Sequence, residues 1–215
     1  MTTPAKQLQQ RIKSREATVG VVGLGYVGLP LSIGFARAGF PVLGFDTDSR
    51  RVAQVNDGEQ VIRHIPRKAM RELAQGGEAT ADFARLGEAD AVLICVPTPL
   101  DQHHQPDMSY VEAAADAIPA TLRKGQLVVL ESTTWPGTTR ELLLPRLEMS
   151  GLRAGEDFFL AYSPEREDPG NANYGMGDIP KVVGGHTDAC RDVAVALYES
   201  VVPRTIPVSS PETAE

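Results

Sequence analysis

Residues 18–28 read TVGVVGLGYVG, and this stretch decides the fold. Thr18, Val19, Val21 and Val22 form a continuous β-branched run, as expected for a strand buried on both faces. Gly23-Leu24-Gly25-Tyr26-Val27-Gly28 follows at once, a G-x-G-x-x-G that opens residues 26–38, whose apolar positions have helical spacing and stop at Gly39. Glycines at these positions permit a tight turn, close approach of a pyrophosphate and tight helix–strand packing. The helix start adds unpaired N–H donors and the positive end of a dipole. A glycine turn without a ligand has the same local sequence, so a second feature must separate the two readings.

Asp46 is that feature. It closes the next predicted strand, residues 41–46 (PVLGFD), near the distance of about 20 residues at which a carboxylate meets ribose hydroxyls. A carboxylate there repels a 2′-phosphate and favours NAD over NADP. Arg51 lies close enough in sequence to accept such a phosphate, and Asp46 as a plain strand-end turn residue is the simpler alternative. Glycine motif and acid together point to dinucleotide binding.

The rest of the chain repeats the strand–helix alternation. Helices are expected over residues 48–56 (capped by Asp48), 66–75 (closed by Gly76 and Gly77), 110–118 (capped by Asp107 or Ser109), 138–149 and 188–200. Strands are expected over residues 91–96, 126–131, 158–162, 181–183 and 205–208. Strands separated by helical segments define βαβ units. The expected class is therefore α/β: a Rossmann-like, doubly wound, mainly parallel sheet with helices on both faces. Residues 1–16 read as a polar extension, disordered or helical, and 17–208 as the NAD-binding domain.

Hydrophobic residues make up 42% of the 215 and charged residues 23%, an ordinary globular balance. The net charge of −7 repels nucleic acid and anionic membranes. It does not oppose an anionic cofactor held by backbone N–H groups. No apolar run reaches the ~18 residues of a membrane span, and the leader lacks the core of a signal peptide. Two cysteines, Cys95 in a core strand and Cys190 on a helix face, fit a reducing compartment. The expected location is cytoplasmic.

Three further segments are candidates for chemistry. Val96-Pro97-Thr98-Pro99 and residues 131–139 (ESTTWPGTT) each follow a predicted strand, and ligands of doubly wound sheets lie beyond the carboxyl ends of strands. Thr98 and Thr133 are read as functional, Thr138 as a helix cap. Ser163-Pro164-Glu165-Arg166-Glu167 opens a long loop rich in Gly, Pro and Asn. Glu165 there is placed to act as acid or base, and Arg166 to grip a phosphate; solvated loop charges are the alternative. His103 and His104 are read as solvent-exposed, and His64 and His186 as loop residues without an evident partner. No metal-ligand spacing is present.

Taken together, VGVVGLGYVGLPLS, GFDTD, CVPTPL with PDMSYV, LESTTWPGTT and YSPEREDPGN resemble, in this order, the amino-terminal half of the nucleotide-sugar 6-dehydrogenases (the UDP-glucose/UDP-N-acetylhexosamine family) over residues 17–215. SPEREDPGN is more similar to the UDP-N-acetylglucosamine 6-dehydrogenase branch than to the UDP-glucose branch, with UDP-N-acetylmannosamine a further alternative. The resemblance implies two hydride transfers to NAD that convert a sugar C6 alcohol to a carboxylate. It places Gly23, Gly25, Tyr26, Val27, Gly28, Asp46 and Arg51 on the adenosine and pyrophosphate side. Thr98 and Thr133 fall near the nicotinamide ribose, and Pro97 and Glu165 are further cofactor-binding residues. Glu165 with Thr133 would handle the water that hydrolyses a thioester, and Arg166 and Glu167 would touch the UDP-sugar.

The resemblance also implies an active-site Lys, Asn and nucleophilic Cys downstream of Glu215. Residues 209–215 are expected to begin a long central helix through which the complete enzyme forms a homodimer. This chain alone is expected to bind NAD without turnover. A stand-alone NAD-binding module is the competing class. Trp135 stands where the family is expected to carry a tyrosine, either lining the crevice or packing on Pro136.

Overall fold

The computed structural model describes residues 3–100, 102–165 and 180–215. Its strands are β1 (Val19–Val22), β2 (Val42–Phe45), β3 (Gly77–Thr80), β4 (Ala91–Ile94), β5 (Leu127–Leu130), β6 (Phe159–Tyr162), β7 (Lys181–Gly185) and β8 (Thr205–Val208). They form one sheet in the order β3-β2-β1-β4-β5-β6-β7-β8. The first six follow the order of a Rossmann fold, with the switch point between β1 and β4. All neighbouring pairs are parallel except β6 with β7.

Because strand side chains alternate between faces, each central strand feeds two cores. Val19, Val21, Leu93 and Val129 pack with helices α1 (Pro4–Lys13), α2 (Gly28–Arg37), α3 (Ser49–Asn56), α4 (Arg67–Gly76) and α7 (Asp188–Tyr198). Val22, Ile94, Val128 and Leu130 pack on the other face with α5 (Ser109–Ala117) and α6 (Leu144–Glu148). Leu93 and Ile94 are both fully buried, on opposite sides. Each such side chain stabilises the fold by roughly 1.5–3 kcal/mol. The doubly wound, mainly parallel architecture is the one expected from the sequence.

Several local expectations need correction. Gly76 and Gly77 end the helix as expected, but Gly77 caps it in an extended conformation and at once begins β3, where its Cα lies against Val42 (a Cβ would come within 2.8 Å of the Val42 carbonyl oxygen). The segment Gly-Glu-Ala-Thr has no strand signal of its own. Pairing with β2 holds it in place, together with the Asn56 amide, which donates to the Ala79 carbonyl at 3.0 Å and accepts from the Ala79 N–H at 2.7 Å. Residues 138–149 are not one regular helix: a wider π turn over Thr139–Leu143 precedes α6, with Pro145 in its first turn. Proline cannot donate to the helical ladder, and a locally widened turn accommodates that loss.

Thr138 does not cap this helix through its side chain. Its hydroxyl instead donates to the Trp135 carbonyl at 2.8 Å. The cap residue of α5 is Met108, while Asp107 accepts from the Ser109 N–H at 3.0 Å. Helix α2 starts at Gly28 rather than at Tyr26.

The leader is mostly helix. Thr3 caps α1, whose Leu8 and Ile12 bury themselves against the domain, and Arg11 reaches the buried Asp90 at 2.8 Å. At the other end a single helical turn, α8 (Pro211–Ala214), is capped by Ser210. The Glu215 carboxylate accepts from the Gly137 and Thr139 N–H groups. Among the described residues no helix is long and apolar enough to cross a membrane.

Candidate dinucleotide-binding crevice

The turn after β1 is built by close backbone approach. Gly23 has φ +93°, a left-handed conformation that side chains rarely adopt, and a Cβ there would lie 2.8 Å from the Cys95 carbonyl oxygen. At Gly28 a Cβ would fall 1.8 Å from the Gly23 carbonyl oxygen. Gly25 differs, with open space where its Cβ would stand. The first and third glycines thus close the turn, and the middle one keeps the approach to the helix start clear. Among the described residues, the N–H groups of Gly25, Tyr26 and Val27 have no protein acceptor. Free donors at the start of α2, with no side chain in front of them, fit a diphosphate.

Asp46 follows β2 and is 9% exposed. Its carboxylate accepts from the Leu24 N–H at 3.0 Å and from the Asp48 N–H at 2.9 Å, and Arg51 approaches it to 3.6 Å. Two backbone donors hold the group at the rim of the glycine turn, and its remaining lone pairs can take ribose hydroxyls.

These parts enclose one cavity of about 650 Å³ at the switch point, within the usual size range of ligand sites. Gly23, Gly25, Tyr26, Val27, Asp46, Arg51 and Pro97 line it. Gly28 stands behind the wall as a packing glycine. The cavity also has an apolar end that the sequence reading missed, formed by Phe45, Phe83, Tyr110, Ala113, Ala114 and Ala117. A signal for it was present: the alanine run in residues 113–117 leaves one flank of α5 without bulk, and a flat ring fits there.

Thr98, Thr133 and Glu165 are not in this wall. They lie past the carboxyl ends of β4, β5 and β6, the next strands along the same sheet edge. Trp135 also lies outside the wall and is 42% exposed. The buried Ser132 ties these strand ends together by donating to the Val96 carbonyl at 2.7 Å. Arg166 and Glu167 fall outside the described residues. His64, read as partnerless, stacks on the Tyr26 ring with centroids 5.7 Å apart. Among the described residues there is no cluster of three metal-ligating side chains.

A buried polar cluster that sequence reading did not find joins the end of β5 to the start of β7. Lys181, the first residue of β7, places Nζ 2.6 Å from Glu131 Oε2, with both side chains almost wholly buried. Tyr198 donates its hydroxyl to the other Glu131 oxygen. Glu165 lies 3.8 Å from the same Nζ. Two carboxylates facing one ammonium in a dry site leave an excess of negative charge, so the cluster holds its protons tightly. Burial, reinforced by the Glu131 charge, pushes the Cys95 thiol and the Tyr198 hydroxyl well above their ordinary values. Burial alone would lower Lys181, but Glu131 and Glu165 outweigh it and hold its pKa above the usual lysine value.

All three groups have a higher pKa folded than unfolded. Their contribution to stability is therefore complete below the unfolded values and is lost as pH rises toward the folded ones. The loss should begin near pH ~8.5, where an unfolded cysteine ionises, and steepen above ~10 with Tyr198 and Lys181. Each group adds a slope of up to about 1.4 kcal/mol per pH unit. Melting temperatures taken from pH ~7.5 to ~10.5 should decline accordingly, and Cys95→Ala should flatten the first part of the decline. A flat profile in the parent chain would contradict this account.

A mainly parallel sheet in this strand order, with a glycine cradle and a rim carboxylate at the switch point, defines a dinucleotide-binding domain of the dehydrogenase type. Residues 17–202 match the UDP-glucose/GDP-mannose dehydrogenase family, NAD binding domain, and the chain belongs to that family. It is 37% identical over 189 residues to the UDP-N-acetyl-D-glucosamine 6-dehydrogenase of Pseudomonas aeruginosa, covering 87% of this chain and 44% of that protein. It is 38% identical over 207 residues to the UDP-N-acetyl-D-mannosamine dehydrogenase of Salmonella typhi, covering 92% and 49%. Among solved structures, the NDP-N-acetyl-D-galactosaminuronic acid dehydrogenase of Methanosarcina mazei Go1 superposes with a TM-score of 0.87 at 33% identity, over 100% of this chain and 48% of that one. The chain spans about half the length of the curated relatives it matches.

Proposed function

We propose that this NAD-binding domain is the cofactor half of an enzyme that oxidises the C6 alcohol of a UDP-sugar to the uronic acid, with UDP-N-acetylglucosamine as the first substrate to try. The observation that carries the reading is the shared edge: one cavity holds the glycine cradle and Asp46, and Glu165 stands three residues past β6 on the same side of the sheet. Relatives named for N-acetylhexosamine substrates support the sugar class.

Conversion of an alcohol to a carboxylate removes four electrons and adds one water oxygen. NAD⁺, held by the glycine cradle and Asp46, would supply the hydride acceptor for each of the two oxidations. The residues of this chain have other tasks. Gly25, Tyr26 and Val27 present N–H groups to the pyrophosphate, and Asp46 takes the adenosine ribose. Thr98 and Thr133 orient the nicotinamide ribose. Glu165, with Thr133, accepts a proton from the water that releases the acid. Arg166 and Glu167 are assigned to the UDP-sugar. The complete enzyme works as a homodimer, and the two buried free thiols of this domain suit a reducing, cytoplasmic setting.

Calorimetric titration of the chain with NAD⁺ and NADP⁺ tests the cofactor side. NAD⁺ should bind more tightly, and Asp46→Ala should weaken it by about 1–3 kcal/mol through loss of a charged acceptor. Equal or tighter NADP⁺ binding by the parent would refute the role given to Asp46. On the substrate side, UDP-N-acetylglucosamine should give higher kcat/KM than UDP-N-acetylmannosamine or UDP-glucose when the domain is continued by a substrate-binding half. A preference for either of the other two would reassign the sugar.

A further inference from the structure

We propose that Lys181 is a positioning residue: from its buried place at the start of β7 it holds Glu165 where the proposed water chemistry needs it. The inference rests on the role proposed for Glu165 in releasing the acid.

The geometry is specific. Lys181 Nζ meets Glu131 at 2.6 Å, the Pro164 carbonyl at 3.5 Å and the Glu165 carboxylate at 3.8 Å. Pro164 immediately precedes Glu165, so one ammonium touches both the backbone and the side chain of that turn. Lys181 is itself immobilised from the other side. Glu131 and the Tyr198 hydroxyl are linked, and the Tyr198 ring lies 5.0 Å from Nζ. Side-chain exposure falls from 15% at Glu165 to 6% at Lys181 and 0% at Glu131. The cluster is thus a rod of charge running from the core to the sheet edge.

A buried ion pair is seldom the most stable way to fill a core, since apolar residues of similar volume do as well or better. A pair used only to staple β5 to β7 would need no third member. Here the ammonium continues toward a second, more exposed carboxylate three residues past β6, and that third contact is what a positioning role requires.

The test is a double-mutant cycle in an enzyme in which this domain is continued by a substrate-binding half. Lys181→Met alone risks misfolding because it strands Glu131. The paired variant Lys181→Met/Glu131→Gln removes both buried charges and keeps their shapes. It should fold and bind NAD⁺ within twofold of the parent, yet lower kcat at least tenfold with little change in the KM for NAD⁺. Added to Glu165→Gln, the same pair should cause no further loss, because the group it positions is already gone.

A paired variant with kcat within twofold of the parent would overturn the proposal. So would an equal fall in kcat with and without Glu165, which marks a merely structural effect. If Glu165→Gln by itself leaves turnover unchanged, the reading of Glu165 fails first, and that outcome is separate from the other two.

Discussion

Gly28→Ala should yield a chain at least ~3 kcal/mol less stable, whereas Gly25→Ala should melt like the parent and lose NAD⁺. The contrast follows from what each added methyl meets. At Gly28 it would stand 1.8 Å from the Gly23 carbonyl oxygen, which is fixed backbone. Relief requires α2 to move off β1, a larger disturbance than the overpacking that typically costs about 1–3 kcal/mol. For a chain of this size ~3 kcal/mol lowers the melting temperature by about 6–12 °C. At Gly25 nothing lies within 4 Å and φ is not in the left-handed region, so alanine fits the free protein. The same methyl would occupy the space a pyrophosphate needs to reach the helix start. Calorimetric affinity should drop at least ~10-fold, equivalent to about 1.4 kcal/mol. If Gly25→Ala binds NAD⁺ with parental affinity, the diphosphate does not pass over that residue.

The buried pair should show a comparable asymmetry in stability. Lys181→Met leaves Glu131 fully buried beside Tyr198 without its cation, and should destabilise the chain by about 3–5 kcal/mol. Neutralising Glu131 as well, in Lys181→Met/Glu131→Gln, should restore most of that loss, because no uncompensated charge remains in the core. Urea unfolding of the two variants and of Glu131→Gln reads the coupling directly. Additive losses would mean that the two side chains do not share a dry site. The same cluster underlies the predicted alkaline loss of stability, since its excess negative charge holds protons that the unfolded chain would release.

The sheet and the glycine cradle were legible because each depends on local chemistry. A β-branched run followed by G-x-G-x-x-G has few conformations open to it, and Asp46 needs only to end the next strand. Elements that rely on a neighbour were not legible. The polar strand Gly77–Thr80 forms because β2 offers its edge and Asn56 ties it down. The π turn before α6 reflects where a proline happens to meet the helical ladder. The apolar end of the crevice needs Phe83 and three alanines of α5 to converge from separate segments.

From the chain of residues alone came the class of fold, the cofactor type and the candidate segments that follow the strands. Those depend on periodicity, on glycine stereochemistry and on a carboxylate at a set distance, all of which act over short stretches. Tertiary structure decided which of these residues share one cavity and which stand beside it. It alone joined Glu131, Lys181, Tyr198 and Glu165, which are scattered over separate strands, a helix and a loop. A buried charge shows itself only when the surroundings that exclude water and supply its partner have been assembled.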